Sequence, residues 1–402
     1  MNILKIIHGF PPDYMAGSEV YSYNLVKALL KLGENVYVFT GVENKFDQEY
    51  EIYNEIYSDI NVQRINKFRR DYSYHDKFFD IHIDEAFRKY LDQIKPEIVH
   101  FGHISHLSTS MIQIAAQEYK LPIVYTIHDF WLFCVKGQMI NNKGERCNGC
   151  SPEKCHLCLP YSTTVKDIKR TLKYMRDVIE LVDLFLSPSH TLRDFFIQQD
   201  VPKEKVIYSR YGFDKNIINF RNKQYTKESK INFGFMGRII PNKGIKLLSD
   251  AFHNIDTNLF IYGNIGAQKR FLEKKNIQFK GPYDNQNINK VFNDIDVLIV
   301  PSIWLENSPL VIQEAFLAGI PVVASNIGGM KELVTNLNNG FLFEAGKTQS
   351  LKDCILNIVN NPLLLNDLKV SDSLVRCITD DARFIQNIYR DVIKNYKHKK
   401  NY

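Results

Sequence analysis

The strongest constraint on this chain is a rhythm that runs, stops and starts again. Short runs rich in β-branched and aromatic residues occur at positions 3–7, 35–40, 97–101, 122–127, 184–187 and 206–209. Helical stretches separate them. Residues 18–32 put Val20, Tyr21, Leu25, Leu29 and Leu32 on one face, and Gly33 ends the pattern. After Tyr211-Gly212-Phe213-Asp214 and a polar stretch over 221–230, new runs follow at 231–236, 258–262, 277–280, 296–300 and 321–325. Such alternation predicts parallel sheets with helices on both faces, and the restart predicts two of them. The expected fold class is therefore α/β, with doubly wound domains at 1–210 and 211–380. A terminal segment, 381–402, carries a helix over about 382–396 and a basic tail, Lys397-His398-Lys399-Lys400, and is expected to pack back on the first domain. The chain shows no short-period repeat.

Composition excludes several classes. Charged residues make up 24% of the 402, which argues against disorder. A net charge of +6 suits handling of phosphates or an anionic surface but is too small to indicate nucleic acid. No run of apolar residues is long enough for a transmembrane helix. The first residues, Met1 to Gly9, read as a strand ending in a glycine turn and lack a signal-peptide cleavage site. The expected location is the cytoplasm, where thiols stay reduced.

Residues 301–325, PSIWLENSPLVIQEAFLAGIPVVAS, carry the chemistry. A buried strand at 296–300 leads into a loop, and then Ser308 is a candidate N-cap with Pro309 at the first helical position. Two doubly wound domains place ligands at the carboxyl ends of their strands. The amides of Leu310 and Val311 then open a helix there, which makes an anion site. Glu306 precedes the helix and Glu314 lies inside it, eight positions on. Taken alone, such a pair reads as one glutamate favoured by the helix dipole and one solvated. Their place at a strand-to-helix turn favours a ligand, with phosphate on the amides and sugar hydroxyls on the carboxylates.

With its Glu-x7-Glu spacing, the segment resembles the retaining GT-B glycosyltransferases of family four, the group 1 glycosyltransferases. The likeness covers nearly the whole chain and is strongest over 231–343, from INFGFMGRIIPNKGI through IYGNIG to SNIGGMKELV and NGFLF. It implies two Rossmann-like domains and a role for each matching residue. Arg238 and Lys243 would neutralise the donor's pyrophosphate as charge develops on the leaving group. Glu314 would bind ribose hydroxyls, Glu306 donor-sugar hydroxyls, the Leu310 and Val311 amides a phosphate, and Gly263 would shape the nucleotide pocket. In the first domain Gly17 opens a helix where the family has a glycine pair, and a glycine there lets backbone amides approach a phosphate. His128, in Thr126-Ile127-His128-Asp129, would lie near the anomeric carbon of the donor sugar. The family's expected course keeps configuration with no protein nucleophile, the leaving phosphate deprotonating the acceptor. Asp294-Ile295-Asp296 has the letters of a metal-binding Asp-x-Asp motif but precedes a strand, so it reads as a helix end and no catalytic metal is expected.

Five cysteines fall between positions 134 and 158. Cys147-x2-Cys150-x4-Cys155-x2-Cys158 has paired zinc-like spacing, against the alternatives of loose thiols, disulfides or an iron–sulfur cluster. A subset of the family carries cysteines matching Cys134, Cys147, Cys155 and Cys158, which makes these the expected ligands of one structural zinc and Cys150 the spare. A stretch from Arg64 to Tyr74 mixes cations with aromatics. Its plain reading is a solvated loop or helix face; its functional reading is contact with a membrane surface or a lipid-phosphate acceptor. The expectation is a glycosyltransferase that takes a nucleoside diphosphate sugar, of UDP or GDP type, to a saccharide or lipid-linked acceptor. It would act in the cytoplasm at the inner membrane face, without nucleic acid and without a catalytic cofactor. The rival readings are a GT-B nucleotide-sugar epimerase and a catalytically silent GT-B subunit.

Overall fold

The computed structural model of this chain describes residues 1–68, 78–105, 107–159, 163–264, 271, 274–283 and 287–400. They fall into two compact units, Met1–Phe213 with Cys377–Tyr402, and Asp214–Arg376. The expected divisions at 210 and 380 lie within four residues of these.

The strands of the first unit are β1 (Asn2–Ile7), β2 (Asn35–Val42), β3 (Ile52–Tyr57), β4 (Ile60–Asn66), β5 (Ile98–Phe101), β6 (Ile123–Thr126), β7 (Leu184–Ser187), β8 (Val206–Tyr208) and a two-residue β9 (Gly212–Phe213). Eight of them form one sheet in the order β3-β4-β2-β1-β5-β6-β7-β8. Its helices include α1 (Gly17–Lys31), α2 (Ile81–Ile94), the single turn α3 (Met111–Gln113), α4 (Pro152–Cys158), α5 (Val165–Leu181) and α6 (His190–Gln198). The central strands β5, β6 and β7 are almost wholly buried, as expected of parallel strands covered on both faces. The expectation of a purely parallel sheet needs one correction: β3 pairs antiparallel with β4. Only Tyr53 and Tyr57 of β3 are even half-buried, so this edge strand needs no helix on its outer side. Between β5 and β6 the helix is short, α3 running into a π-helical turn at Ile114–Glu118.

The second unit holds β10 (Asn232–Met236), β11 (Asn258–Tyr262), β12 (Ile277–Gly281), β13 (Val297–Val300), β14 (Val322–Ser325) and β15 (Gly340–Phe343), ordered β12-β11-β10-β13-β14-β15. Every pairing in it is parallel. Among its helices are α7 (Ile245–Ala251), α8 (Ile288–Asp294), α9 (Leu310–Leu317), α10 (Met330–Leu333) and α11 (Thr348–Asn360). Phe233, Leu248, Phe252, Val297, Val323 and Ile355 are among its fully enclosed core side chains.

The chain then returns to the first unit as α12 (Ile378–Lys400), which packs along α1. Its Asp381 accepts from Tyr21 Oη at 2.9 Å, its Tyr389 hydroxyl meets His100 Nδ1 at 2.6 Å, and its Gln386 donates to Glu34 at 2.5 Å. The order of each sheet reverses direction at one place, between β1 and β5 in the first unit and between β10 and β13 in the second. Ligand sites in open α/β sheets lie at such switch points, beyond the carboxyl ends of the strands.

Candidate functional site

In the second unit two loops leave the switch point. One follows β10 and holds Gly237, Arg238 and Lys243; the other follows β13 and runs from Pro301 to Asn307. They lie in contact. Ile303 N donates to Asn242 O at 3.0 Å, and a Cβ on Gly244, which has φ +76, would stand 2.0 Å from Pro301 O. Their closeness joins two residues that sequence reasoning had kept apart: Lys243 Nζ lies 2.5 Å from Glu306 Oε1. The same oxygen accepts from Ser302 Oγ at 2.7 Å and from Trp304 Nε1 at 2.7 Å. None of these donors takes Oε2. Glu306 is buried, and three donors on one oxygen, one of them charged, offset the cost of holding a carboxylate there. Glycines close the loop from below, since Gly329 N donates to Glu306 O at 2.7 Å and a Cβ on Gly329 would overlap Asn307 O. Arg238 is exposed and has no ion pair among the described residues. Gly263 is forced by crowding, because its Cβ would stand 1.9 Å from Gly237 O at φ +152.

Helix α9 begins one residue later than the sequence suggested. Pro309 occupies the N-cap position and no side chain caps the helix. Ser308 is turned away from that task, and its Oγ accepts from Gln313 Nε2 at 3.2 Å. Leu310 and Val311 therefore open the helix with amides that have no acceptor inside it. Glu314, half-buried beside Tyr283, has its carboxyl pushed up to about 7 by burial. The Asp-x-Asp letters are used structurally: Asp294 accepts from Tyr262 Oη at 2.8 Å, and buried Asp296 pairs with Lys223 Nζ at 2.5 Å.

In the first unit, histidines follow three neighbouring strands: His8 after β1, His103 after β5 and His128 after β6. His8 Nε2 lies 3.1 Å from Glu19 Oε1. Burial raises the Glu19 carboxyl, but the hydrogen bond and charge of His8, with hydrogen bonds from Ser18 and the backbone, together outweigh it and leave the group below its ordinary value. Glu19 stands in the first turn of α1, where the helix dipole favours an anion. Gly17 begins that helix and is exposed. His103 Nδ1 lies 3.5 Å from Asp129 Oδ1, and burial lifts the Asp129 carboxyl to about 7. His128 Nδ1 lies 2.6 Å from the Tyr211 hydroxyl, while its Nε2 is buried without a partner among the described residues. Burial first, then the charges of Lys5 and His8, hold the imidazole well below its ordinary pKa, so it is neutral. The sequence reading gave no role to His8, Glu19, His103, Asp129 or Tyr211. The signal available was position, since His8, His103, Asp129 and Tyr211 each lie within two residues of the end of a predicted strand.

In the cysteine loop one thiol touches two others. All seven cysteines are free thiols. Cys150, expected to be the spare, lies between Cys134 and Cys155 within hydrogen-bond reach of both. Its hydrogen bond is the largest influence on Cys134 and brings that thiol down to about 5. Cys147 Sγ donates instead to Gly149 O at 3.1 Å. Among the described residues no group of three or more His, Cys, Asp or Glu side chains is arranged to hold a metal ion. Cys134, Cys150 and Cys155 thus lie together, and Cys158 is near enough to feel the charges of Cys155, Cys134 and Cys147. The basic and aromatic stretch is also corrected where it is described. Arg64 lies in β4, buried, bonded to Phe10 O and Pro11 O at 3.1 and 2.6 Å, and Lys67 pairs with Asp80 at 2.6 Å. These cations serve the fold; positions 69–74 lie outside the described residues. No helix among the described residues is long and apolar enough to cross a membrane.

Two solved structures share this architecture across almost their full lengths. Sucrose-phosphate synthase from Thermosynechococcus elongatus superposes with a TM-score of 0.75 at 18% identity, covering 98% of this chain and 99% of that one. HepE of Anabaena, solved in complex with UDP and glucose, gives 0.68 at 18% identity, covering 96% and 98%. The fold is that of the GT-B glycosyltransferases, two Rossmann-like α/β domains. The family described as "Glycosyltransferase Family 4" matches residues 15–215, and "Glycosyl transferases group 1" matches 216–371. The chain belongs to this family of glycosyltransferases. A Klebsiella pneumoniae protein described only as a 42.6 kDa protein in the cps region is 24% identical over 362 residues, 86% of this chain and 90% of its own length. An Escherichia coli UDP-Gal:alpha-D-GlcNAc-diphosphoundecaprenol alpha-1,3-galactosyltransferase is 35% identical over 151 residues, 34% of this chain and 39% of its own.

Proposed function

We propose that the protein transfers a sugar, with retention of configuration, from a nucleoside diphosphate sugar to a saccharide or lipid-linked acceptor during surface polysaccharide synthesis. The observation that carries this reading is the pairing of Lys243 with Glu306 at 2.5 Å, together with the open end of α9 and an Arg238, in the loop of Lys243, that has no ion pair among the described residues. Two cations and free helix amides suit a diphosphate, and a buried, oriented carboxylate with one oxygen untaken suits sugar hydroxyls. Lys243 then has two tasks: it holds Glu306 in place and meets the diphosphate. Glu314 takes the ribose hydroxyls, as an acceptor of hydrogen bonds once ionised.

In the reaction the bond from the anomeric carbon to the diphosphate oxygen breaks, and the electron pair leaves with the nucleoside diphosphate. The acceptor oxygen attacks on the same face and gives its proton to the departing phosphate. The protein supplies position and charge, with Arg238, Lys243 and the Leu310 and Val311 amides meeting the negative charge that develops. His128, neutral, serves the sugar as a hydrogen-bonding group and not as a cation. No metal enters this scheme. The lipid-linked acceptor named for the E. coli relative, and the cps-region setting of the Klebsiella one, support work at the cytoplasmic face of a membrane on a lipid-borne glycan. HepE with UDP and glucose supports a uridine donor, with guanosine the alternative.

The test incubates the purified protein, in the presence of a chelator, with UDP- and GDP-sugars and a lipid extract carrying diphosphate-linked sugars. Release of one nucleoside diphosphate together with a glycosylated lipid of unchanged anomeric configuration is expected. Failure to release nucleoside diphosphate from any donor, or inversion at the anomeric carbon, refutes the reading.

A further inference from the structure

The Tyr211 hydroxyl is buried, and among the described residues its partner is His128 Nδ1 at 2.6 Å. A neutral imidazole carries one N–H, and two arrangements are open. If Nδ1 held the proton and donated to Tyr211, the phenol proton would be left without an acceptor and Nε2 without a donor. If the phenol donates to Nδ1, the ring proton sits on Nε2 and only that N–H is left without a partner. The second arrangement leaves fewer buried polar groups unmet. Tyr211 stays protonated, since burial and the charges of Asp129 and Asp381 raise its pKa well above the ordinary value.

The phenol is itself held in place. The Tyr21 ring lies 4.1 Å from the Tyr211 ring, and Asp381 Oδ2 in α12 accepts from both Tyr21 Oη, at 2.9 Å, and Gly212 N, at 3.1 Å. Gly212 allows this approach, since a Cβ there would stand 2.6 Å from Asp381 Cβ. On the opposite edge of the imidazole, Gly102 leaves room: a Cβ on it would stand 3.2 Å from His128 Nε2. The ring thus presents a buried donor edge to a place that a side chain at position 102 would cover.

We propose that Tyr211, fixed by Asp381 of the last helix, is a positioning residue that locks His128 as its Nε2–H tautomer, and that this N–H donates to an oxygen of the bound sugar. The use of the N–H rests on the transferase reading above; the tautomer does not. With Tyr211 absent, the ring would be free to carry its proton on Nδ1 and to present a lone pair to the sugar, where a hydroxyl would have to turn its own proton inward.

The test is a long-range proton–nitrogen correlation spectrum of the full chain labelled with 15N-histidine, with His128 assigned from the signals missing in His128→Gln. The wild-type ring should show a protonated Nε2 and an unprotonated Nδ1 at neutral pH. Tyr211→Phe keeps the ring packing and removes the O–H; it should lose that pattern. It should also lower turnover of the donor about tenfold, the worth of one hydrogen bond, with UDP affinity by calorimetry unchanged. A wild-type His128 that reads as Nδ1–H or as imidazolium overturns the proposal without need of any variant. So does a Tyr211→Phe spectrum that keeps the wild-type pattern. A wild-type protein that shows the Nε2–H pattern but consumes no UDP- or GDP-sugar refutes the transferase reading and leaves the tautomer assignment standing.

Discussion

At the scale of single residues the second unit separates two kinds of cation. Arg238 is exposed and has no ion pair among the described residues, so Arg238→Ala should weaken nucleoside diphosphate binding, read by calorimetry, without moving the thermal midpoint. Lys243 is bound to a buried carboxylate, so Lys243→Ala should do both. It leaves Glu306 with neutral donors only, at a cost of about 1–3 kcal/mol in stability. Equal thermal effects of the two would contradict the pairing. Glu314 gives a prediction in pH. Its carboxyl titrates near 4.5 when unfolded and is pushed up to about 7 when folded. The native state therefore holds a proton that the unfolded chain has lost, and stability from this group falls as pH rises between those values and stays low above them. Glu314→Gln removes that dependence. Chemical denaturation should find the variant gaining on wild type from pH 5 to pH 7 and level beyond; a constant difference would rule out the raised carboxyl. These residues were legible because the motifs gave their positions, and strand-end placement gave their reach. What the sequence hid was the pairing, since Lys243 and Glu306 belong to loops that only the parallel register of β10 and β13 brings together.

At the scale of elements, backbone crowding decides more than propensity. The turn at Gly328-Gly329 lies against Glu306 and Asn307 so closely that any side chain at 329 meets a carbonyl. Gly329→Ala should displace the Glu306 loop, lowering thermal stability and diphosphate affinity together, whereas Gly346→Ala, where nothing lies within 4 Å, should pay only for its φ of +78 and leave diphosphate affinity alone. If Gly329→Ala binds diphosphate as wild type does, the loop is not held by that contact. The parallel strands were readable because apolar runs and their spacing survive as pattern. The hairpin of β3 and β4 was not, because its outer strand is mostly exposed and mixes Asn54 and Glu55 among apolar residues. The cap of α9 was misread for a related reason. Ser308 has the right chemistry for an N-cap, but Gln313 reaches it first. The cysteine loop shows the limit of spacing as a guide: the ligand pattern could be counted, but which thiol stands in the middle is set by the fold of 134–155.

At the scale of the whole molecule the connectivity is asymmetric. The second unit, 214–376, is continuous, whereas the first needs both chain ends. Residues 214–376 expressed alone should fold cooperatively and bind UDP or GDP, because their core is drawn from that span. A chain ending at residue 376 should lose the first unit. It forfeits Ala382, Ile385 and Tyr389, each fully buried, and large apolar side chains contribute about 1.5–3 kcal/mol apiece against a total of about 5–15 kcal/mol. Two separate melting transitions in the intact chain, of which truncation abolishes one, would agree; a truncated chain with a native first unit would not. The same asymmetry has a consequence for biosynthesis. Domains fold as they leave the ribosome, and here the second unit is finished while the unit that begins the chain still awaits its closing helix. On the proposed function, a message cut short, or a nascent chain clipped before Asp381, would leave a polypeptide able to sequester activated sugar and unable to set His128 for it, which gives cellular proteolysis a reason to remove such fragments promptly.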